Sequence, residues 1–183
     1  MGNVTLNGAT SGQITLSPTA VAGTNTVTVA AQTGTLNVAA PAFSGYASAS
    51  QTVTLNTTTK VAINTKDFDT NTNYDATTNY RFTPTVAGYY QINVALRGQV
   101  VTTFTQCVAS IYKNGSEYKR FAANAPFSAN SAFTQTGNAV VYCNGSTDYI
   151  EFYGTVNGTG TATFDASSSS VSSQFSAALV RGA

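Results

Sequence analysis

The stretch from Tyr74 to Leu96, YDATTNYRFTPTVAGYYQINVAL, constrains this chain more than any other. A short strand over Tyr80 to Thr83 meets Pro84 and a Val-Ala-Gly turn, and a strongly alternating strand follows at once. In it Tyr90, Ile92, Val94 and Leu96 share one face, while Tyr89, Gln91, Asn93 and Ala95 share the other. Successive side chains of a strand point to opposite faces, so alternation of this quality predicts a half-buried strand. The neighbours Tyr89 and Tyr90 therefore divide: one belongs to a core and the other to an interface.

The rest of the chain repeats this grammar. Pro41 marks a boundary, after which Ala42 to Ala47, a short run at Val53 and Leu55, and Lys60 to Asn64 read as strands, followed by a polar loop from Thr65 to Asn73. Gln106 to Tyr112 and Glu117 to Phe121 flank Asn114-Gly115, a pair that supplies the positive φ of a type I′ hairpin turn. Phe133 to Tyr142 and Tyr149 to Gly154 flank a second tight turn at Asn144-Gly145, and Val171 to Val180 closes the chain. Arg97 to Thr105, Ala122 to Ala132 and Thr155 to Ser170 read as long loops. Strands of this number with turn residues between them predict an all-β sandwich or barrel.

Residues 1–40 have another texture. Gly2 to Gly8 alternates and then turns, and Ile14, Leu16, Val21, Val27, Val29, Leu36 and Val38 are islands among Thr, Gly and Ala, too sparse to offset chain entropy with a core of their own. This segment is expected to need partners; an unordered linker is the other reading of the same composition.

Two resemblances add to this. YDATTNYRFTPTVAGYYQINV, in which a tyrosine precedes Phe-Thr-Pro, Gly-Tyr-Tyr and a long alternating strand, resembles the signature of the C1q/TNF-like jelly roll. Ala42-Phe43-Ser44 resembles that family's opening strand and QFSAALV its closing one, with Ala177 at a usual glycine and Thr83 where many complement-type members carry cysteine. The resemblance covers Pro41 to Ala183. It implies a ten-strand jelly-roll sandwich, an extended β-rich arm before it, a homotrimer around a threefold axis, and both ends of the head at one base. Separately, TSGQITLSPTAVAGTNTVTVAAQTGTL resembles a recurrent segment of tailed-phage tail and fibre proteins. It implies a docking arm over 1–40 that binds other virion proteins, and a place on the virion surface.

Composition excludes several functions. Charged residues are 8% and the net charge is +1, which gives no electrostatic basis for nucleic acid or an anionic membrane. No apolar run approaches the roughly 20 residues of a membrane span, and no signal peptide is visible at Met1-Gly2-Asn3, so a secreted C1q-like lectin is disfavoured. The chain has no histidine, so general-base, nucleophilic and zinc arrangements lack their usual member and no enzyme is expected. No cofactor is expected. Calcium stays open at the oxygen-rich Asp67-Phe68-Asp69 cluster with Asn71, Asn73 and Asp75, although the EF-hand glycine and terminal glutamate are missing. Cys107 and Cys143 suit small core positions and are expected as buried free thiols.

Function is then expected on a surface. Counting antiparallel strands back from the last one places the three long loops at one end and the two tight turns at the other, with the arm. The long-loop end is the expected site of contact with a host glycan or protein, with Phe104, Phe127 and Phe164 as candidate apolar contacts. The competing role for these aromatics is pinning their own loops to the core. A fibre or tail-tip adhesin and a capsid decoration or head-fibre protein are the two placements.

Overall fold

The computed structural model describes residues 4–7, 11–16, 40–128, 131–166 and 172–183. The chain divides into two compact units, Met1–Gly34 and Thr35–Ala183. In the first, β1 (Val4–Asn7) and β2 (Gln13–Leu16) form an antiparallel hairpin with Val4 opposite Leu16. The sequence expectations for Val21, Val27, Val29, Leu36 and Val38 lie outside the described residues.

The second unit is a sandwich of two antiparallel sheets with a jelly-roll order. Its short strands come first: β3 (Ala42–Tyr46), β4 (Gln51–Val53), β5 (Thr59–Lys60), β6 (Thr65–Asp69), β7 (Tyr74–Asp75) and β8 (Arg81–Phe82). The long ones follow: β9 (Gly88–Val100), β10 (Thr103–Lys113), β11 (Ser116–Ser128), β12 (Ser131–Cys143) and β13 (Ile150–Thr159). β14 (Ala162–Phe164) and β15 (Gln174–Gly182) end the chain. One sheet runs β4-β14-β9-β15-β3-β6, with β12 on the other side of β9; the second runs β11-β10-β13-β8-β7, with β5 also on β13.

The organising strand is the one the alternation marks. β12 pairs with β9 along its whole length, from Cys143 opposite Gly88 to Ser131 opposite Val100. On its other edge β15 takes Gly88 to Ala95 and β14 takes Gly98 to Val100. Tyr90, Ile92, Val94, Leu96 and Val100 are buried and Tyr89 is 42% exposed, so the adjacent tyrosines divide as expected. Inward residues of the second sheet, Cys107, Ala109, Ile111, Ile150, Phe152 and Val156, meet them.

Toward the Gly88 end the core is aromatic. Phe43 stacks on Tyr74 at 4.3 Å and on Phe82 at 4.9 Å, and meets Phe175 edge-on at 4.9 Å. Such pairs add ~0.5–1.5 kcal/mol each beyond the area they bury. The Tyr74 hydroxyl donates to the Ile63 carbonyl at 2.9 Å and that of Tyr90 to Val86 at 2.6 Å, so neither buried phenol is orphaned. Burial pushes both phenols up, that of Tyr90 to about 12. Gly98 and Gly154 serve close approach: a Cβ on Gly98 would lie 2.7 Å from Val156 and one on Gly154 2.5 Å from Leu96.

Several expectations are corrected. Lys60 to Asn64 is a strand only at its start; Val61 and Ile63 are buried without a ladder. The polar loop Thr65 to Asn73 contains β6, an edge strand on β3 whose exposed Lys66, Asp67 and Phe68 carry no alternation to announce it. The three long loops are mostly strand. β9 and β10 are joined by Val101-Thr102 alone, and β13 and β14 by Gly160-Thr161. Thr, Gly and Ala dominate these stretches, so backbone ladders rather than apolar periodicity hold them.

Replacing Phe43 with alanine should cost ~3–5 kcal/mol, since it removes the ring that meets three others while the sheets on either side hold the cavity open. Urea unfolding of the variant measures it; a loss under ~1 kcal/mol would show that the aromatic group does not tie the sheets.

Candidate interaction surfaces

The head has two distinct ends. Thr103 lies opposite both Thr159 and Ser128, and Val100 opposite both Ser131 and Ala162, which gathers the three connections at one end. At the other, Lys113 lies opposite Ser116 and Ile150, and Gly88 opposite Cys143 and Gly182. The Leu179 amide donates to the Pro41 carbonyl and that of Ala183 to Ala87, so the head begins and ends at this second end, the base.

Tight hydrogen bonding locks the base. Asn114 and Gly115 have φ of 53° and 78°, the left-handed pair of the I′ turn. Asp148 Oδ1 accepts from Asn114 Nδ2 at 2.7 Å; Oδ2 accepts from the Asn144 amide at 3.0 Å and lies 2.9 Å from Lys113 Nζ. Lys113 Nζ also donates to the Tyr142 carbonyl at 2.8 Å. Asn144 Oδ1 accepts from the amides of Ser146, Thr147 and Asp148. One buried carboxylate thus staples two turns, and sequence spacing gives no hint of it because Asn114 and Asp148 are 34 positions apart.

Two of the three candidate distal aromatics are buried. Phe104 and Phe164 are each 1% exposed, so both are core residues, as in the pinning role. Alternation points them inward: Phe104 between the exposed Thr103 and Thr105 of β10, and Phe164 with Ala162 on the buried side of β14. Phe127 lies in β11 opposite Phe104. Val101 is the large exposed apolar residue at this end, at 56%.

The two outer faces differ in charge. Lys60, Arg81, Lys113, Glu117, Lys119, Arg120 and Glu151 all lie on β5, β8, β10, β11 and β13. In the other sheet, strands β3, β9, β12 and β15 carry only Arg97 and Arg181, and the remaining charges, Lys66, Asp67 and Asp69, are confined to the edge strand β6. On their face Tyr89 meets Tyr142 at 5.4 Å, beside the exposed Val140 and Val180. Above them a shallow depression of about 230 Å³ is lined by amides and hydroxyls of Asn93, Thr136, Asn138, Gln174 and Ser176. It is smaller than a typical small-molecule pocket of ~300–1,000 Å³.

β12 is also an edge strand: it pairs with β9 alone and contains no charge and no proline over its 13 residues. Edges are normally blunted by charge, proline or shortness. β11, the corresponding edge of the other sheet, has Glu117, Lys119, Arg120 and Pro126. The lack of charge in 131–143 was visible in the sequence, but not that this strand ends a sheet.

The oxygen-rich loop does not gather its carboxylates. Asp67 accepts from Ser44, Asp69 from the Asn73 and Tyr74 amides and Lys66, and Asp75 from Thr77, Thr78 and Asn79. The Thr78 and Thr77 amides hold the Asp75 carboxyl well below the usual range. Among the described residues no cluster of three His, Cys, Asp or Glu side chains could hold a metal ion, and no helix is long and apolar enough to cross a membrane. Cys107 and Cys143 are free and fully buried, and burial pushes their thiols up to about 12 and about 11.

No protein-family profile and no curated protein matches the chain. Solved structures do. The globular domain of zebrafish complement 1qA protein superposes with a TM-score of 0.55 at 16% identity, over 79% of this chain and 99% of that one. Eiger TNF from S. frugiperda gives 0.55 at 9% identity, covering 79% and 93%, and murine APRIL at pH 5.0 gives 0.54 at 12%, covering 77% and 99%. The head therefore has the C1q/TNF-like jelly-roll fold that the opening motif implies. At these identities the likeness concerns fold alone.

Two measurements check the site. Hydrogen bonds from Asn114 and Lys113 hold the Asp148 carboxyl below its ordinary value. A depressed folded pKa contributes stability that is present above about pH 4 and lost as pH falls through the folded value. Asp148→Ala should cost ~1–3 kcal/mol at pH 7 by removing the acceptor of Asn114 Nδ2 and the Asn144 amide and the counter-charge of Lys113, and less at pH 2–3; an equal cost at both would show that the charge is irrelevant. The protonated, buried thiols should not react with a disulfide reagent at pH 8 until the chain unfolds. Fast reaction of the native protein would place them at the surface.

Proposed function

We propose that this chain is a non-enzymatic surface protein of a tailed-phage particle: a homotrimeric C1q/TNF-like head, docked through residues 1–40 onto other virion proteins, whose distal end contacts a glycan or protein of the host. The observation that carries the assembly is the uncharged face and edge of β12. A 13-residue edge strand without charge or proline, beside exposed Tyr89, Tyr142 and Val140, favours cover by another copy of the chain. The threefold symmetry and the virion setting rest on the two sequence resemblances. Non-enzymatic action is supported by the lack of histidine and by carboxylates already engaged in structural hydrogen bonds.

A second placement, capsid decoration without a receptor role, is favoured by the burial of Phe104 and Phe164, which removes two of the three candidate aromatic contacts from the distal surface.

Sedimentation of the full chain at micromolar concentration should give a trimer, and Val140→Lys should shift it toward monomer while the circular dichroism stays native. A wild-type monomer would sink the assembly. Deleting residues 1–40 should leave a folded head that no longer joins particles; normal copy number of the truncated protein would remove the docking role. Shortening the distal connections in an intact trimer should reduce adsorption to host cells. Unchanged adsorption would leave decoration as the function.

A further inference from the structure

On the outer face of the charged sheet, three carboxamides cross three strands. Asn157 Nδ2 on β13 donates to Gln106 Oε1 at 2.9 Å, and Gln106 Nε2 on β10 donates to Asn124 Oδ1 on β11 at 3.0 Å. Register places Gln106 opposite both partners, next to a break in the ladder between Phe104 and Gln106 that affects both neighbours. A bulge of this kind re-aims side chains and is over-represented beside functional sites.

The row is a directed chain of hydrogen bonds. Among the described residues no protein group hydrogen-bonds to Asn124 Nδ2 or Asn157 Oδ1, so donors end the row on one side and an acceptor on the other. Each link polarises the next, which makes the terminal groups better donors and acceptors than isolated amides. Gln106 and Asn157 are half-buried and Asn124 is exposed. No charged residue occurs in 103–110, 121–128 or 152–159, the portions of the three strands around the row. Closer to the base, on the same face, Tyr112 and Tyr153 lie 4.2 Å apart, with Lys60 Nζ 5.6 Å over the Tyr153 ring, so the uncharged surface is the row and not this pair.

We infer that this amide row is a binding site for a neutral carbohydrate. Hydroxyls both donate and accept, as the two ends of the row require. A charged ligand would find no counter-charge along the row itself, and the free edge beside it, β11, is blunted against an added peptide strand by Pro126 and by Glu117, Lys119 and Arg120. The site sits on the sheet opposite the β12 face, so assembly through that face leaves a copy open on each protomer. The inference rests on the proposed reading of the chain as a binding module.

The test uses the full chain on an array of neutral glucan, mannan and galactan oligosaccharides with sialylated ones beside them, followed by titration calorimetry with the best neutral binder. Binding of a neutral oligosaccharide is expected, weakened about tenfold or more by Gln106→Ala and by Asn157→Leu. Gln91→Ala, on the opposite sheet, should bind as wild type. Thermal unfolding of each variant confirms folding, and Asn124→Ala, at an exposed position, repeats the test should the others unfold. Absence of any neutral binder, preference for sialylated ligands, or undiminished binding by folded variants would overturn the site. A trimer that binds none of these sugars overturns this inference alone; a wild-type monomer that binds them overturns the proposed assembly alone.

Discussion

Everything in the head hangs on the alternation of β9. Its inward residues, Tyr90 to Val100, are the floor against which the second sheet packs, and its backbone is the shared rail for β12, β15 and β14. A slip of one residue in any of these pairings would turn Ile92 and Val94 to solvent and Asn93 inward. The register is therefore fixed by hydrophobic burial, and the pairing of the first and last strands, β3 and β15, follows from β15's place on β9. The aromatic group around Phe43 then closes the base half by joining β3, β7, β8 and β15 in one contact network.

What the sequence revealed depends on how each strand is held. Tyr89 to Leu96 and Phe175 to Leu179 announce themselves because one face is buried and the other is wet. Asn114-Gly115 announces its turn because few pairs tolerate two consecutive left-handed residues. β6 and the distal halves of β10, β11 and β13 are quiet. β6 exposes three consecutive residues, Lys66, Asp67 and Phe68, and the other three segments show mostly Thr, Gln, Asn and Ala outward with Gly among the inward residues, so the pattern of polarity fades while the hydrogen-bond ladder continues. Phe104 and Phe164 read two ways in the sequence for this reason: in a loop an aromatic is available for contact, whereas in a strand its side is dictated by its neighbours, and their burial selects the pinning role. The Asp148 staple and the amide row were illegible, since each joins residues far apart in the chain.

The charge asymmetry follows from the same economy. With so few ionisable groups, the chain places them where they also have structural work: Glu151, 4% exposed, pairs with Lys60, which in turn donates to the Asn79 carbonyl, and Arg97 meets Asp165 at 2.9 Å. Buried pairs of this kind cost desolvation and are retained for the geometry they fix. β12 runs beside β9 in continuous register without such a clamp, and its outer face is left to Tyr, Val, Thr and Asn.

The adjacency of Pro41 and Leu179 bears on how this head could be rebuilt. Entry and exit strands lie side by side, so a short peptide joining them would close the polypeptide into a loop without crossing either sheet. A new opening could then be cut at Val101-Thr102, where the two-residue link is exposed and no strand continues. Such a permuted chain would start and finish at the end opposite its natural one and would keep every ladder. The architecture thus treats direction of attachment as a separable property, one that could be reversed while the core stays as it is.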